Sequence, residues 1–134
     1  MALANEHRRV VVLDTETTGL SHQDGDRILE IGALEMIQNR LTGRFFHVTL
    51  NPDGAVISDE VRRIHGITSN MARRNPRFVQ IREALLDFIR GSEVVAHNAS
   101  FDAGFINAEL ARAAMESPGV VSLESVCTVV DTLK

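Results

Sequence analysis

A chain of 134 residues, 44% hydrophobic and 24% charged, has room for one globular domain that buries roughly two thirds of its unfolded surface, and no apolar stretch in it approaches membrane-spanning length. The net charge of −4 argues against an extended nucleic-acid-binding surface, although an acidic chain still has room for a local site that attracts phosphate through bound cations. One cysteine, Cys127, excludes an internal disulfide, suits a reducing cytoplasm and reads as a small buried apolar residue; Met1 to Arg9 is polar and carries no signal-peptide pattern.

The first element is the strand Val10-Val11-Val12-Leu13, which runs straight into Asp14-Thr15-Glu16 and a Thr17-Thr18-Gly19 turn signal. Side chains alternate along an extended chain, so Asp14 and Glu16 share one side and Thr15 faces the other. Two carboxylates held this close repel each other unless a cation lies between them, and hard oxygen ligands select Mg²⁺ or Mn²⁺. An isolated Asp-x-Glu is more often ordinary loop acidity, but a surface loop needs no Val-Val-Val-Leu run ahead of it, whereas a rigid site does.

Ser21 to Asp26 reads as a polar loop. Arg27 to Ile37 has apolar residues at a nearly helical period, yet its Ile-Gly-Ala centre and its place between turns favour a strand. Phe45, Phe46, Val48 and Leu50 make a third strand that Asn51-Pro52-Asp53-Gly54 stops, and three strands on short connections imply an antiparallel meander. Ser58-Asp59-Glu60 opens a short helix that ends at His65-Gly66, and Thr68-Ser69-Asn70 starts another turn. Phe78 to Arg90 reads as the longest helix, with Gly91 stopping it. Glu93 to Ala96 is a short strand, a helix begins near Ser100, and a last strand covers roughly Ser125 to Val130. Thirteen of the fourteen basic residues are arginine, several of them between Arg62 and Arg82, where phosphate binding and a solvated helical face explain the cluster equally well. The sum is an α/β domain with a mixed sheet of about five strands, without repeats or low-complexity tracts.

Asp102 falls in the first turn of the helix after Val94-Val95. Open α/β sheets build their sites at strand ends, so Asp102 meets Asp14 and Glu16 if the two strands are neighbours; taken alone, it reads as a partner of the helix dipole.

Asp14-Thr-Glu-Thr-Thr-Gly19 together with His97-Asn-Ala-Ser-Phe-Asp102 closely resembles the first two motifs of the DnaQ-like 3′–5′ exonucleases. Leu41 to Val48, Asn51-Pro-Asp53, Ile64-His-Gly-Ile-Thr68 and Val130-Asp-Thr-Leu133 resemble the proofreading members of that family that serve bacterial DNA polymerase III, so the likeness runs through nearly the whole chain. It implies a ribonuclease H-like fold, an antiparallel meander extended by two parallel strands and flanked by helices, and two divalent cations, Mg²⁺ or Mn²⁺. It implies Asp14, Glu16 and Asp102 as catalytic metal ligands. Glu60 and His65 match positions that approach a 3′-terminal nucleotide. Thr15, through its backbone, and the apolar Leu20 and Ile64 match the group that seats the last sugar and wedges the terminal base, while Asn98 and Phe101 are either substrate-binding or structural. The implied partners are a single-stranded DNA 3′ end and the DNA polymerase III catalytic subunit; no membrane is involved.

The family's third motif, His-x-x-x-x-Asp, supplies a general base and a fourth carboxylate. Here only His97 and Asp102 have that spacing, and both already belong to the second motif; Asp131 is a spare acid in a strand. The expectation is therefore an amino-terminal part of a longer exonuclease, inactive alone, lacking the last helices and prone to self-association through uncovered sheet surface. Two other functions are open: an RNA 3′-end trimming enzyme of the same family, and a non-catalytic module that docks on a polymerase.

Overall fold

The computed structural model describes residues 8–131. Its frame is a five-stranded sheet in the order β3-β2-β1-β4-β5, built from β1 (Arg9–Thr17), β2 (Ile28–Ile37), β3 (Arg40–Thr49), β4 (Glu93–Ala96) and β5 (Thr128–Asp131). The first three strands form the expected antiparallel meander, and β4 and β5 join it in parallel. The helices are α1 (Asp59–His65), α2 (Ser69–Ala72), α3 (Phe78–Ile89) and α4 (Ala99–Glu116), with a 3-10 turn over Leu123–Ser125.

Alternation along β1 decides which side is core. Val11, Leu13 and Thr15 are buried, while Val12 and Asp14 on the opposite face are exposed. The buried face packs with Ile31 and Ala33 of β2 and Val94 of β4 against α3 and α4. In α4 the residues Ala99, Asp102, Ala103, Phe105, Ile106, Glu109, Leu110 and Ala113 turn inward, which is the spacing of one helical face.

The other face of the sheet is open along its middle, and α1 meets its edge through the His65–Glu16 pair. Strand register puts Phe45, Leu34, Val12, Val95 and Val130 in one straight row across all five strands on that open face. Phe45 is 66% and Leu34 47% exposed. Residues 132–134, and with them Thr132 and Leu133 of the last resembling segment, lie outside the described residues.

Several boundaries differ from the sequence reading. The longest helix is α4, with 18 residues, not α3, with 12, because α4 runs on through the small and polar residues after Leu110 to Glu116. Strand β3 begins at Arg40, before any apolar alternation, because Gln38 and Asn39 adopt positive φ and close a tight hairpin. The last strand starts at Thr128 because Leu123–Ser125 is still turning. Cys127 is half-buried, and burial pushes its thiol up to about 11.

Two ion networks, each centred on a buried carboxylate, hold the layers together. Glu109 of α4 accepts from both Nε (2.9 Å) and Nη2 of Arg27 and from the Ile28 amide (3.2 Å). Arg27 also reaches Asp53, which pairs with Arg77, which pairs in turn with Glu116. Glu35, 2% exposed, accepts from Arg9, Thr42 (2.8 Å) and Arg44 (2.9 Å).

Candidate active site

The carboxy ends of β1 and β4 lie side by side, and the acids gather there. Asp14 and Glu16 project from the open face of β1, and a register shift between Glu16 and Thr17 ends the regular ladder. Strand β4 ends at Ala96, His97 and Asn98 turn the chain, and α4 starts at Ala99, so Asp102 sits in its first turn beneath β1. Asp102 is 6% exposed, and Thr15, on the buried side of β1, donates its hydroxyl to Asp102 Oδ1. Thr15 therefore serves as the strap between strand and helix through its side chain; the seat for a sugar implied by resemblance rested on its backbone.

These groups feel one another. Burial pushes the Asp102 carboxyl above its ordinary value, the Thr15 hydrogen bond opposes that, and the nearby Asp14 charge adds to it. Burial likewise raises Glu16, the His65 ring opposes, and Asp14, Glu30 and Asp102 add like-charge repulsion. Such a cluster is relieved by a cation, and its oxygen donors fit a hard divalent ion. Among the described residues no three His, Cys, Asp or Glu side chains are grouped so as to hold a metal ion; the three acids feel one another's charge without forming a ligand cage.

Beside the acids runs a groove of about 420 Å³ lined by residues 15–20, Phe101, and Ser58, Glu60, Val61, Ile64 and His65 of α1. His65 Nε2 is 3.0 Å from Glu16 Oε2 and fastens α1 to the acid cluster. Leu20 (87% exposed) and Ile64 (67%) stand free on its lips, and Phe101 is half-buried against Phe105. Of the residues singled out from sequence, Thr15, Glu16, Leu20, Glu60, Ile64, His65 and Phe101 thus line one groove. Asp14 flanks it on the open face, Asp102 lies beneath, and Asn98 is exposed at the helix start without lining it.

Two features escaped the sequence reading. Glu30 stands directly across from Glu16 on β2, and it pairs with His47 at 2.6 Å on the open face. A charge inside the apolar run Ile28 to Ala33 was the available signal, but register between strands was needed to aim it at Glu16. The second is Asp26, which accepts from the Thr18 hydroxyl (2.9 Å) and the Ser21 amide (3.1 Å) and so shapes the loop under the groove.

Comparison with known proteins agrees with this architecture. A family model described as "Exonuclease" matches residues 11–134. The DNA polymerase III subunit epsilon of Pasteurella multocida is 39% identical over 100% of this chain and 53% of its own length, and that of Escherichia coli K12 is 40% identical over 93% and 51%. The chain spans about half the length of the curated relatives it matches. Among solved structures, product-bound exonuclease I superposes with a TM-score of 0.77 at 18% identity, over 95% of this chain and 30% of that one. A 3′-exonuclease bound to a histone mRNA stem-loop gives 0.65 at 17% identity, over 79% and 41%. With the ribonuclease H-like sheet, the acids at its edge and these matches together, the chain belongs to the RNase T exonuclease family.

Proposed function

We propose that this chain carries the amino-terminal part of a metal-dependent 3′–5′ DNA exonuclease site of the proofreading type, which removes terminal nucleotides by phosphodiester hydrolysis. The observation that carries the reading is the convergence of Asp14, Glu16 and Asp102 beside a groove with free apolar lips. Asp14, Glu16 and Asp102 would hold two divalent cations, Mg²⁺ or Mn²⁺. Bound there, such ions supply an activated water and neutralise charge on the leaving 3′ oxygen. Leu20 and Ile64 grip the terminal base by apolar contact, and Phe101 closes the groove floor. Glu60 approaches the terminal nucleotide from α1. His65 keeps Glu16 turned toward the cluster. Thr15 fixes Asp102 in one orientation, so the third acid enters a cation site with little left to reorganise.

Residues 1–134 offer three of the four carboxylates of the family's two-metal site and no assigned general base, so the chain by itself binds its cations weakly and cleaves little. The partners proposed are a DNA 3′ end and the catalytic subunit of DNA polymerase III, whose epsilon subunits are the relatives named above.

The test titrates Mn²⁺ and then thymidine 5′-monophosphate into the purified chain and follows amide chemical shifts. Expected are metal-dependent shifts at residues 14–20, 64–65 and 102, lost in Asp14→Asn and Asp102→Asn, with no detectable release of mononucleotides from a labelled single strand. Absence of any nucleotide-dependent shift in the groove overturns the assignment. Brisk Mg²⁺-dependent release overturns the claim of an incomplete site.

A further inference from the structure

The function above leaves one feature unused, the arginines of α1 and of the turn that follows α2. Residues 58–82 carry six arginines against two acidic residues, within a chain whose net charge is −4. Several arginines are committed to structure: Arg9 and Arg44 to Glu35 and Arg27 to Glu109, and, within the segment, Arg77 to Asp53 and Glu116. Arg82 is 5% exposed and donates to the Ser117 carbonyl at 2.6 Å. Four of the six are different. Arg62, Arg63, Arg73 and Arg74 are all exposed. Arg62 makes only a solvent-facing pair with Asp59 (3.1 Å), and Arg73 meets the neutral Asn70 side chain. Neither Arg63 nor Arg74 has an acidic partner among the described residues. A surface pair such as Arg62 with Asp59 is worth little and yields readily to a phosphate.

The four also lie close to the groove. Helix α1 gives Glu60, Val61, Ile64 and His65 to the groove, so Arg62 and Arg63 lie within one helical turn of the residue that touches Glu16. Val61 of α1 and Ala72 of α2 meet in one small apolar cluster with Leu29 and Ile67, which fixes α2, and Arg73 and Arg74 behind it, next to α1. Met71, 54% exposed, adds an apolar surface between the charges.

We infer that Arg62, Arg63, Arg73 and Arg74 form a phosphate rail that holds the DNA strand upstream of the nucleotide seated in the groove. The inference rests on the reading of the groove proposed above. It commits to single-stranded DNA because an extended, flexible polyanion matches several separate, exposed guanidinium groups beside the groove.

Salt dependence tests it. For a single strand, each neutralised phosphate contributes about 0.7 to the slope of log K against log salt. Binding of a fluorescein-labelled 12-mer oligothymidylate to the chain is measured by anisotropy across a NaCl series in EDTA. Arg63→Gln/Arg74→Gln is expected to lower the slope by about 1.4, while Arg40→Gln/Arg90→Gln, which removes the same charge elsewhere, leaves it unchanged. An unchanged slope in the first variant, or an equal fall in the second, overturns the rail. Thymidine 5′-monophosphate shifts at Leu20 and Ile64 are recorded in parallel on each protein. Their absence with the slope effect intact removes the exonuclease reading and leaves the rail standing, and intact shifts with no slope effect do the reverse. Tighter binding of the matching oligouridylate overturns DNA as the partner.

Discussion

At the scale of single residues, Asp102 and Glu35 show opposite uses of a buried carboxylate. Asp102 is held above its usual range by burial and by neighbouring acids, so in the metal-free protein its ionised form is a burden on folding. Asp102→Asn keeps an acceptor for the Thr15 hydroxyl and removes the charge. The metal-free variant is expected to melt roughly 2–5 °C higher than the wild-type chain at neutral pH and to lose the Tm rise that Mn²⁺ gives the wild type, as read by calorimetry. Glu35 is the reverse case: the Arg9 hydrogen bond holds its carboxyl below the usual range against the cost of burial, with Thr42 and Arg44 helping. A depressed folded pKa gives stability that is fully present above the unfolded value, about 4.3, and is lost as pH falls through the folded one. Glu35→Gln is therefore expected to cost about 1–3 kcal/mol at pH 7, with the gap to wild type closing below pH 4 in urea titrations. A gap that stays constant down to pH 3 would exclude this role. The sequence displayed Asp14, Glu16 and Asp102 because strand alternation and helix spacing are local rules. It hid Glu30, Asp26 and the Thr15 strap, since each depends on which residue faces which across the fold.

At the scale of elements, the loop after β1 and the helix α1 carry the groove. A Cβ added at Gly19 would fall 2.4 Å from Asp26 Oδ2, and Asp26 is already bound to Thr18 and Ser21. Gly19→Ala is expected to cost about 1–3 kcal/mol in denaturant unfolding, and Asp26→Ala in the same background to recover part of that loss; a neutral Gly19→Ala would show that the loop shifts freely. Helix α1 buries none of its residues and hangs on its Ser58 cap, the Val61 contact and the His65–Glu16 pair. Its amides are expected to exchange with solvent orders of magnitude faster than those of α3, and faster still in Ser58→Ala. The sequence announced α1 through its cap and α3 through its apolar stripe. It understated α4, whose small residues pack closely without a strong stripe, and misplaced the start of β3, which a turn rather than hydrophobicity determines.

At the scale of the whole molecule, one face of the sheet is covered by α3 and α4, while the middle of the other, with Phe45, Leu34, Val12 and Val130, is exposed. A contiguous apolar surface of this kind favours association. The chain is expected to show concentration-dependent light scattering at neutral pH, reduced by Phe45→Ser/Leu34→Gln without loss of fold by circular dichroism; a well-behaved monomer at high concentration would count against it. The overall plan was legible because a meander and two short parallel strands follow from element order and loop length, whereas the bare face emerges only once each strand's register is known.

The apolar row crosses β1 at Val12, two residues before Asp14, so bareness and charge occupy successive rungs of one ladder, some 7 Å apart. Whatever comes to lie along that row must pass within reach of Asp14, of Gly32 and of the His47–Glu30 pair. Greasing and wiring share a wall here: shaving a methyl from Val12 or Leu34 changes the surroundings of the Asp14 carboxylate as well as the tendency to clump, so either trait drags the other along.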